Sequence, residues 1–349
     1  MKSFGIGILG LGTIADFHVK AIQQIPNARF VAGFDIVPGK ADAFCEKYQA
    51  KGYSDLDAFL SNPSIDVVTI TTPSGLHMDG ALAAIQAKKH VLVEKPIEIT
   101  IEKCDQIIEA AKANNVTLGG IFQSRFHRGA KILKKALDEG RFGKILLATA
   151  QVKWYRSQEY YDAVAWRGTW NLDGGGALMN QSIHAIDLLQ WFVGSVEEVE
   201  SKVATLAHER IEVEDTAVAI LRLKDGGFGV VESSTGIFPG FLKRIEICGT
   251  KGSAILEEED IIYWSFDKET DEDATIRESF SSLSSTGGGA SNPTSIGIHG
   301  HVEQFKDFLG AIEKNQEPLV SGEEARKSVE IIQAIYKSAK IGKSVRLPL

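Results

Sequence analysis

Across residues 1–122, short apolar runs alternate with amphipathic stretches in a regular order. The runs at 4–9, 30–34, 67–71, 91–93 and 116–121 have strand length and a β-branched bias. Between them, 13–25, 40–48, 56–60, 78–87 and 101–114 carry apolar residues at helical spacing, and Ile14, Phe17, Ala21 and Ile25 make one such stripe. Strands separated by helices predict right-handed βαβ crossovers, and so an α/β Rossmann-type, doubly wound parallel sheet covered on both faces.

The pattern changes after residue 122. A helix at 129–139 leads to a strand at 145–152 and a strongly apolar helix at 177–191. Alternating stretches follow at 196–206, 215–223, 228–235, 243–248, 253–256 and 261–265. Turns such as Lys224-Asp225-Gly226-Gly227 favour antiparallel hairpins. This predicts an α+β domain built on a large, open, mainly antiparallel sheet with helices on one face. The other face calls for a cover, and a second subunit is the usual one, giving a homodimer or homotetramer. The segment 267–295, acidic and then rich in serine and glycine, has the composition of a mobile loop. Helices at 301–313 and 323–340 finish the chain. The expected division is a dinucleotide-binding domain at 1–122 and a substrate-binding and oligomerisation domain at 123–349.

Composition narrows the partners. The 349 residues are 44% hydrophobic and 24% charged, as in ordinary globular proteins, with a formal net charge of -8. That sign disfavours nucleic acid and anionic lipid as partners. No run approaches the ~20 apolar residues of a membrane span. Cys45, Cys104 and Cys248 lie far apart without metal or redox spacing, as expected of free thiols in a reducing cytoplasm.

The first strand runs into Gly10-Leu11-Gly12-Thr13-Ile14-Ala15, the G-x-G-x-x-A form of the dinucleotide fingerprint. Gly10 suits a tight turn, Gly12 lets backbone N–H groups approach a pyrophosphate, and Ala15 keeps the helix close to the strand. The anion then sits at the positive end of the helix opened by Thr13 and Ile14. Asp35, at the end of the second strand, is placed to accept hydrogen bonds from both hydroxyls of an adenosine ribose and to repel a 2′-phosphate. NAD is therefore favoured over NADP, with Lys40 nearby as the opposing feature. No Gly-Lys-Ser/Thr follows the loop, so phosphoryl transfer is disfavoured.

Three further segments complete a pattern. Thr71-Thr72-Pro73-Ser74-Gly75-Leu76-His77 follows the fourth strand, and Glu94-Lys95-Pro96 ends the fifth. Gly174-Gly175-Gly176-Ala177-Leu178-Met179-Asn180-Gln181-Ser182-Ile183-His184-Ala185-Ile186-Asp187 lies in the second domain. In this order they resemble the Gfo/Idh/MocA oxidoreductases, across nearly the whole chain. The resemblance implies substrates among sugars, cyclitols and nucleotide sugars. It implies cofactor contacts from the loop containing Thr72, Pro73 and His77, and from Glu94, Gln123 and the Trp166-Arg167 pair. Lys95 and His184 fall on the positions the family uses for proton transfer. Many members carry aspartate where this chain has Asn180, which can orient a hydroxyl but cannot take its proton. That asparagine is similar to UDP-N-acetylhexosamine-type 3-dehydrogenases.

The residues themselves support the same chemistry. Oxidising a carbinol sends a hydride to the nicotinamide and a proton to a base. Lys95 lies just past the carboxyl end of a parallel strand, the edge where open α/β sheets bind ligands, and Pro96 stiffens the backbone there. On the apolar helix, Asn180, His184, Asp187 and Trp191 share one face, a polar stripe that needs partners or a ligand. An imidazole suits a proton acceptor at neutral pH, and Asp187 is placed to hold its tautomer. Trp154-Tyr155-Arg156 and Trp166-Arg167 offer flat faces and guanidinium groups for a sugar, while Arg125 and Arg128 suit a carboxylate or phosphate. His301 is a candidate for the mouth of the site, and His18 reads as packing. His127, His299 and His301 lack an acidic partner in metal spacing, so no metal is expected. Two alternatives stand beside the dehydrogenase reading: an NAD-dependent glycosidase or lyase that oxidises its sugar transiently, and a non-catalytic nucleotide sensor. A methyltransferase has no use for the lysine and histidine.

Overall fold

The computed structural model describes residues 2–281 and 297–349, and its contacts group them into two units. The first comprises residues 1–123 and 298–326, the second 124–297 and 327–349.

In the first unit, β1 (Phe4–Leu9), β2 (Ala28–Phe34), β3 (Lys51–Tyr53), β4 (Val67–Ile70), β5 (His90–Val93) and β6 (Leu118–Gly120) form one sheet. Its order is β3-β2-β1-β4-β5-β6, parallel throughout. β1 and β4 are buried at every position, as expected of central strands covered on both faces. The order reverses between β1 and β4, so a crevice opens at their carboxyl ends, where Gly10 and Thr71 stand.

The division differs from the expected one in one segment. Residues 298–326, assigned from sequence to the second domain, belong to the first. Helix His299–Lys314 places Val302, Phe305, Phe308 and Leu309 in one core with Phe4, Ile6, Ile8, Val19 and Ile22. Burying four such side chains contributes about 1.5–3 kcal/mol each. Gln304 ties the helix to β6: its Oε1 accepts from Phe122 N at 3.0 Å and its Nε2 donates to Gly120 O at 2.6 Å.

The second unit holds eight strands: β7 (Ile145–Lys153), β8 (Val196–Ala204), β9 (Thr216–Leu223), β10 (Phe228–Ser234), β11 (Arg244–Gly249), β12 (Gly252–Glu257), β13 (Asp260–Phe266) and β14 (Val345–Arg346). Their order is β13-β12-β11-β7-β10-β9-β8-β14, antiparallel at every pair except β7 with β10. One face is sealed by Ala148, Ala150, Ala219, Leu221, Val231, Ile245 and Ile247, against which helix Ile183–Val193 packs. The opposite face exposes Leu147, Val218, Ile220 and Phe228. The fold class expected from the sequence is the one observed.

Part of the segment expected to be a loop is ordered: Asp271–Ser281 is a helix. Its anchor is Asp273, which accepts two hydrogen bonds from Arg141 and one from Trp264 Nε1, while Phe280 is buried. Acidic composition hid an ion-paired side chain. Residues 282–295, the end of that segment, lie outside the described residues.

Candidate active site

Gly10 has φ +94°, and a Cβ there would lie 2.8 Å from Thr72 N, so only glycine fits where the loop passes the β4 end. Gly12 faces open space, with nothing within 4 Å of where its Cβ would be. It is also the N-cap of helix Thr13–Ile22 and supplies no side-chain cap, which leaves the N–H groups of the first turn to an anion. Asp35 accepts from Leu11 N at 2.9 Å and Val37 N at 3.0 Å, and Lys40 Nζ stands 2.7 Å away. Burial opposes its charge, but Lys40 and the two amides hold the carboxyl below its ordinary pKa. Two buried polar atoms, Thr72 Oγ1 and Gln123 Oε1, have no hydrogen-bond partner in the protein. Such groups are few in native structures and call for a ligand. The open cradle at Gly12, the uncapped helix and these two orphaned oxygens fit a dinucleotide.

His77 does a different job from the expected one. Both ring nitrogens face carbonyl oxygens of the protein, Nδ1 that of Pro96 at 2.8 Å and Nε2 that of Thr72 at 2.9 Å. Burial lowers its pKa, so the neutral ring donates to one of the two carbonyls. The side chain braces the loop after β4 against the loop after β5 rather than presenting itself to cofactor.

Glu94 and Lys95 follow β5. Glu94 Oε2 accepts from the Lys95 amide at 3.0 Å, which fixes the backbone that carries the amine. Its Oε1 meets His18 Nε2 at 2.8 Å, and His18 Nδ1 meets Thr69 Oγ1 at 2.9 Å. Burial would raise the Glu94 carboxyl; the His18 hydrogen bond and the neighbouring His301 and Lys95 bring it down to about 2. His301 is buried, tilted over His18 at 5.6 Å, and its Nε2 lies 4.0 Å from Glu94. Burial pushes its pKa down to about 4. Sequence reading placed His301 at the mouth of the site and took His18 for packing. Both instead form a buried cluster with Glu94, because helix His299–Lys314 joins the first unit. Three ligating atoms of this cluster lie within 4.8 Å of one another, so His301 does have the acidic neighbour its sequence spacing lacked. The 2.8 Å contact between His18 and Glu94 is a hydrogen-bond distance. Ligands of a tetrahedral zinc with ~2.1 Å bonds stand roughly 3.4 Å apart.

In the second unit the polar residues sit on a wide turn. Residues Ala177–Ser182 form a π-helical segment that continues into α-helix Ile183–Val193, where the sequence predicted one regular α-helix. Single π-turns are frequent at functional sites. From Asp173 to Gln190 every residue is buried except Asn180 and His184, which are half-exposed. Asn180 Nδ2 donates to Asp173 Oδ1 at 2.6 Å, and Asp173 Oδ2 accepts from Gly168 N at 2.9 Å, which fixes the amide.

Beside the turn, Gln181 Oε1 accepts from Arg156 Nη2 at 3.1 Å and Gln181 Nε2 donates to Tyr160 Oη at 3.2 Å. Two guanidiniums flank that tyrosine: Arg167 at 4.2 Å and Arg156 at 5.5 Å from the ring centre. Arg167 also donates to Tyr160 O at 2.9 Å and lies 5.6 Å from the Trp166 ring. Tyr155 packs edge-on against the exposed Phe238 ring at 5.2 Å. Tyr160 and Gln181 were missed by the sequence reading; short helix Gln158–Asp162 lacks a periodic signal long enough to show it.

Arg125 is not available to substrate. It is fully buried and forks onto Asp187, Nε to Oδ2 at 2.8 Å and Nη2 to Oδ1 at 2.7 Å. Its guanidinium also lies 5.3 Å from the Trp191 ring. Asp187 and Trp191, read from sequence as continuing the His184 stripe, therefore anchor an internal ion pair.

Comparison with known proteins agrees with this fold. Residues 4–122 match the model of the oxidoreductase family NAD-binding Rossmann fold, and residues 134–347 match that family's C-terminal alpha/beta domain. The chain belongs to the Gfo/Idh/MocA oxidoreductase family and is a nicotinamide-dependent oxidoreductase whose cofactor is NAD. It is 35% identical to the WlbA dehydrogenase from Bordetella pertussis, solved in complex with NADH and UDP-GlcNAcA, with a TM-score of 0.91 over 100% of this chain and 99% of that one. It is 28% identical to myo-inositol 2-dehydrogenase of Thermotoga maritima over 98% of both chains. Inositol 2-dehydrogenase of Rhizobium meliloti is 25% identical over 95% of this chain and 96% of its own. Among the described residues, no helix is long and apolar enough to cross a membrane.

Proposed function

We propose that the protein oxidises a CH–OH group of a UDP-linked amino sugar of the UDP-GlcNAcA kind, with NAD as hydride acceptor. The observation that carries the reading is the sealed stretch from Asp173 to Gln190, open only at Asn180 and His184. A buried segment that exposes one amide and one imidazole is built to present them to a hydroxyl. His184 takes the hydroxyl proton, since an imidazole titrates near neutral pH. Lys95, its backbone fixed by Glu94, stabilises alkoxide character with its ammonium group. Asn180, tied to Asp173, orients the hydroxyl without taking its proton. The nicotinamide supplies the hydride acceptor. Thr72, Pro73, Gln123, Trp166 and Arg167 serve the cofactor, and Asp35 its ribose hydroxyls in preference to a 2′-phosphate.

A nucleotide sugar is favoured over a cyclitol on two grounds. The similarity to the Bordetella pertussis enzyme spans the whole chain at 35% identity. The guanidinium of Arg167, set over the Tyr160 ring, matches the anionic groups of such a substrate; Arg156, expected from sequence to join it, is buried and donates instead to Tyr155 O and Gln181 Oε1. The purified protein, given NAD or NADP with glucose, myo-inositol, levoglucosan, UDP-GlcNAc and UDP-GlcNAcA in turn, should accumulate the reduced cofactor fastest with NAD and UDP-GlcNAcA. Turnover confined to myo-inositol or free sugars would refute the substrate class. Sugar cleavage without net NADH would establish the transient-oxidation alternative.

Assembly through the second-unit sheet belongs to the same proposal. Register puts Leu147 beside Phe228 and Ile220 beside Val230 on the uncovered face. Leu147, Val218, Ile220 and Phe228 are 42–56% exposed there, an apolar patch suited to a second copy. Sedimentation should find a dimer or tetramer that Ile220→Asp dissociates, and a monomeric parent would refute this. Free Cys45, Cys104 and Cys248 suit a reducing, cytoplasmic setting.

A further inference from the structure

The turn that carries Asn180 and His184 rests on one residue from a distant part of the chain. Glu214, just before β9, is buried. Its Oε2 accepts from Gly176 N at 3.0 Å and its Oε1 from Leu178 N at 2.8 Å. Its own carbonyl accepts from Ala177 N at 3.0 Å. Three consecutive N–H groups at the start of the π-turn, which lack partners within the helix, thus converge on a single residue. A carboxylate there also faces the positive end of the helix dipole. Tyr336, on helix Gly322–Ile341, donates its hydroxyl to Glu214 Oε1 at 3.0 Å. The fit is close: a Cβ on Gly176 would fall 1.8 Å from the Glu214 carbonyl oxygen, and one on Gly175 would fall 2.1 Å from Tyr336 Oη. Gly175 and Gly176 are thereby explained by the clamp, which leaves no room for a Cβ at either.

We propose that Glu214, braced by Tyr336, is a positioning residue that holds the π-turn so that Asn180 and His184 present their side chains to substrate. This rests on the reading of His184 as the proton acceptor. Ionised, both carboxylate oxygens accept; protonated, one becomes a donor and loses its match to a backbone N–H. The groups facing it do little to keep it charged. They are the phenols of Tyr336 and Tyr161 and, through them, the carboxylate of Asp173, while Asp215 turns its own side chain to the amides of Leu206, Ala207 and His208. Burial, opposed by the hydrogen bonds from Leu178 N, Gly176 N and Tyr336 Oη, pushes the Glu214 carboxyl up to about 7.

Two variants test this with NAD and UDP-GlcNAcA as probe. Glu214→Gln leaves one acceptor oxygen where the carboxylate offers two, and should lower kcat roughly 10- to 100-fold with NADH affinity unchanged. Tyr336→Phe keeps both oxygens and should lower kcat by less. Hydrogen exchange of amides 177–182, corrected for intrinsic rate, needs no substrate and should be faster in Glu214→Gln than in the parent. Parent-like kcat in both variants, or exchange indifferent to the substitution, would overturn the proposal. If the parent reduces no NAD with any sugar, the proposed function fails and the exchange measurement still decides the role of Glu214.

Discussion

His184→Ala and Lys95→Ala are each expected to lower turnover by about 10²-fold or more while leaving NADH affinity near that of the parent. The two effects have different origins. His184 is one of two half-buried residues in an otherwise buried stretch, so its loss removes the proposed proton acceptor without opening the core around it. Lys95 lies on a backbone held by Glu94, and that hydrogen bond survives truncation of the amine. The dinucleotide cradle of Gly10, Gly12 and Asp35 is untouched by either change, hence the unchanged NADH affinity. Stopped-flow reduction of NAD, paired with fluorescence titration of NADH, measures both quantities. Parent-like turnover in both variants would refute the acid–base assignment. A parallel loss of NADH binding would point to a structural role instead.

Arg125→Met should destabilise the protein by about 3–5 kcal/mol, the largest effect on stability expected here. The guanidinium and the Asp187 carboxylate are both fully buried and joined by two hydrogen bonds. Removing one partner leaves a charge in a medium that solvates it poorly, and protonation or distortion must follow. Replacing both, Arg125→Met with Asp187→Leu, should recover most of the loss, because no uncompensated charge remains. Urea unfolding of the parent, single and double variants checks this. A single variant as stable as the parent would show that the pair contributes little. A double variant no better than the single would place the cost in packing against Trp191, whose ring lies 5.3 Å from the guanidinium.

The first sheet was legible from sequence because its strands announce themselves by apolar runs and its helices by a 3.6-residue stripe. Only β3, a three-residue edge strand, is too short to give such a signal. The helix at 299–314 was also legible, but not its allegiance. Its apolar face says that it must pack, and nothing local says against which core. His18 and His301 were misread for that reason, since the cluster they form with Glu94 depends on a helix contributed from some 280 residues along the chain. Arg125 shows the reverse error: an arginine after a strand end resembles an anion site until its carboxylate is found on a helix 62 residues away. The glycine loop and the half-exposed histidine were readable because their chemistry is local. Glu214 was not, since an acidic residue before a strand carries no mark of burial.

The account turns on hydride leaving a sugar carbon for NAD while His184 takes the proton. A single turnover with enzyme in excess over UDP-GlcNAcA and NAD saturating addresses this directly. The parent should yield one equivalent of NADH and a sugar lighter by two hydrogens, and His184→Ala, loaded with NAD to the same degree, should yield neither on that timescale. An equal burst in the variant, or NADH-free conversion of the sugar by the parent, would contradict it.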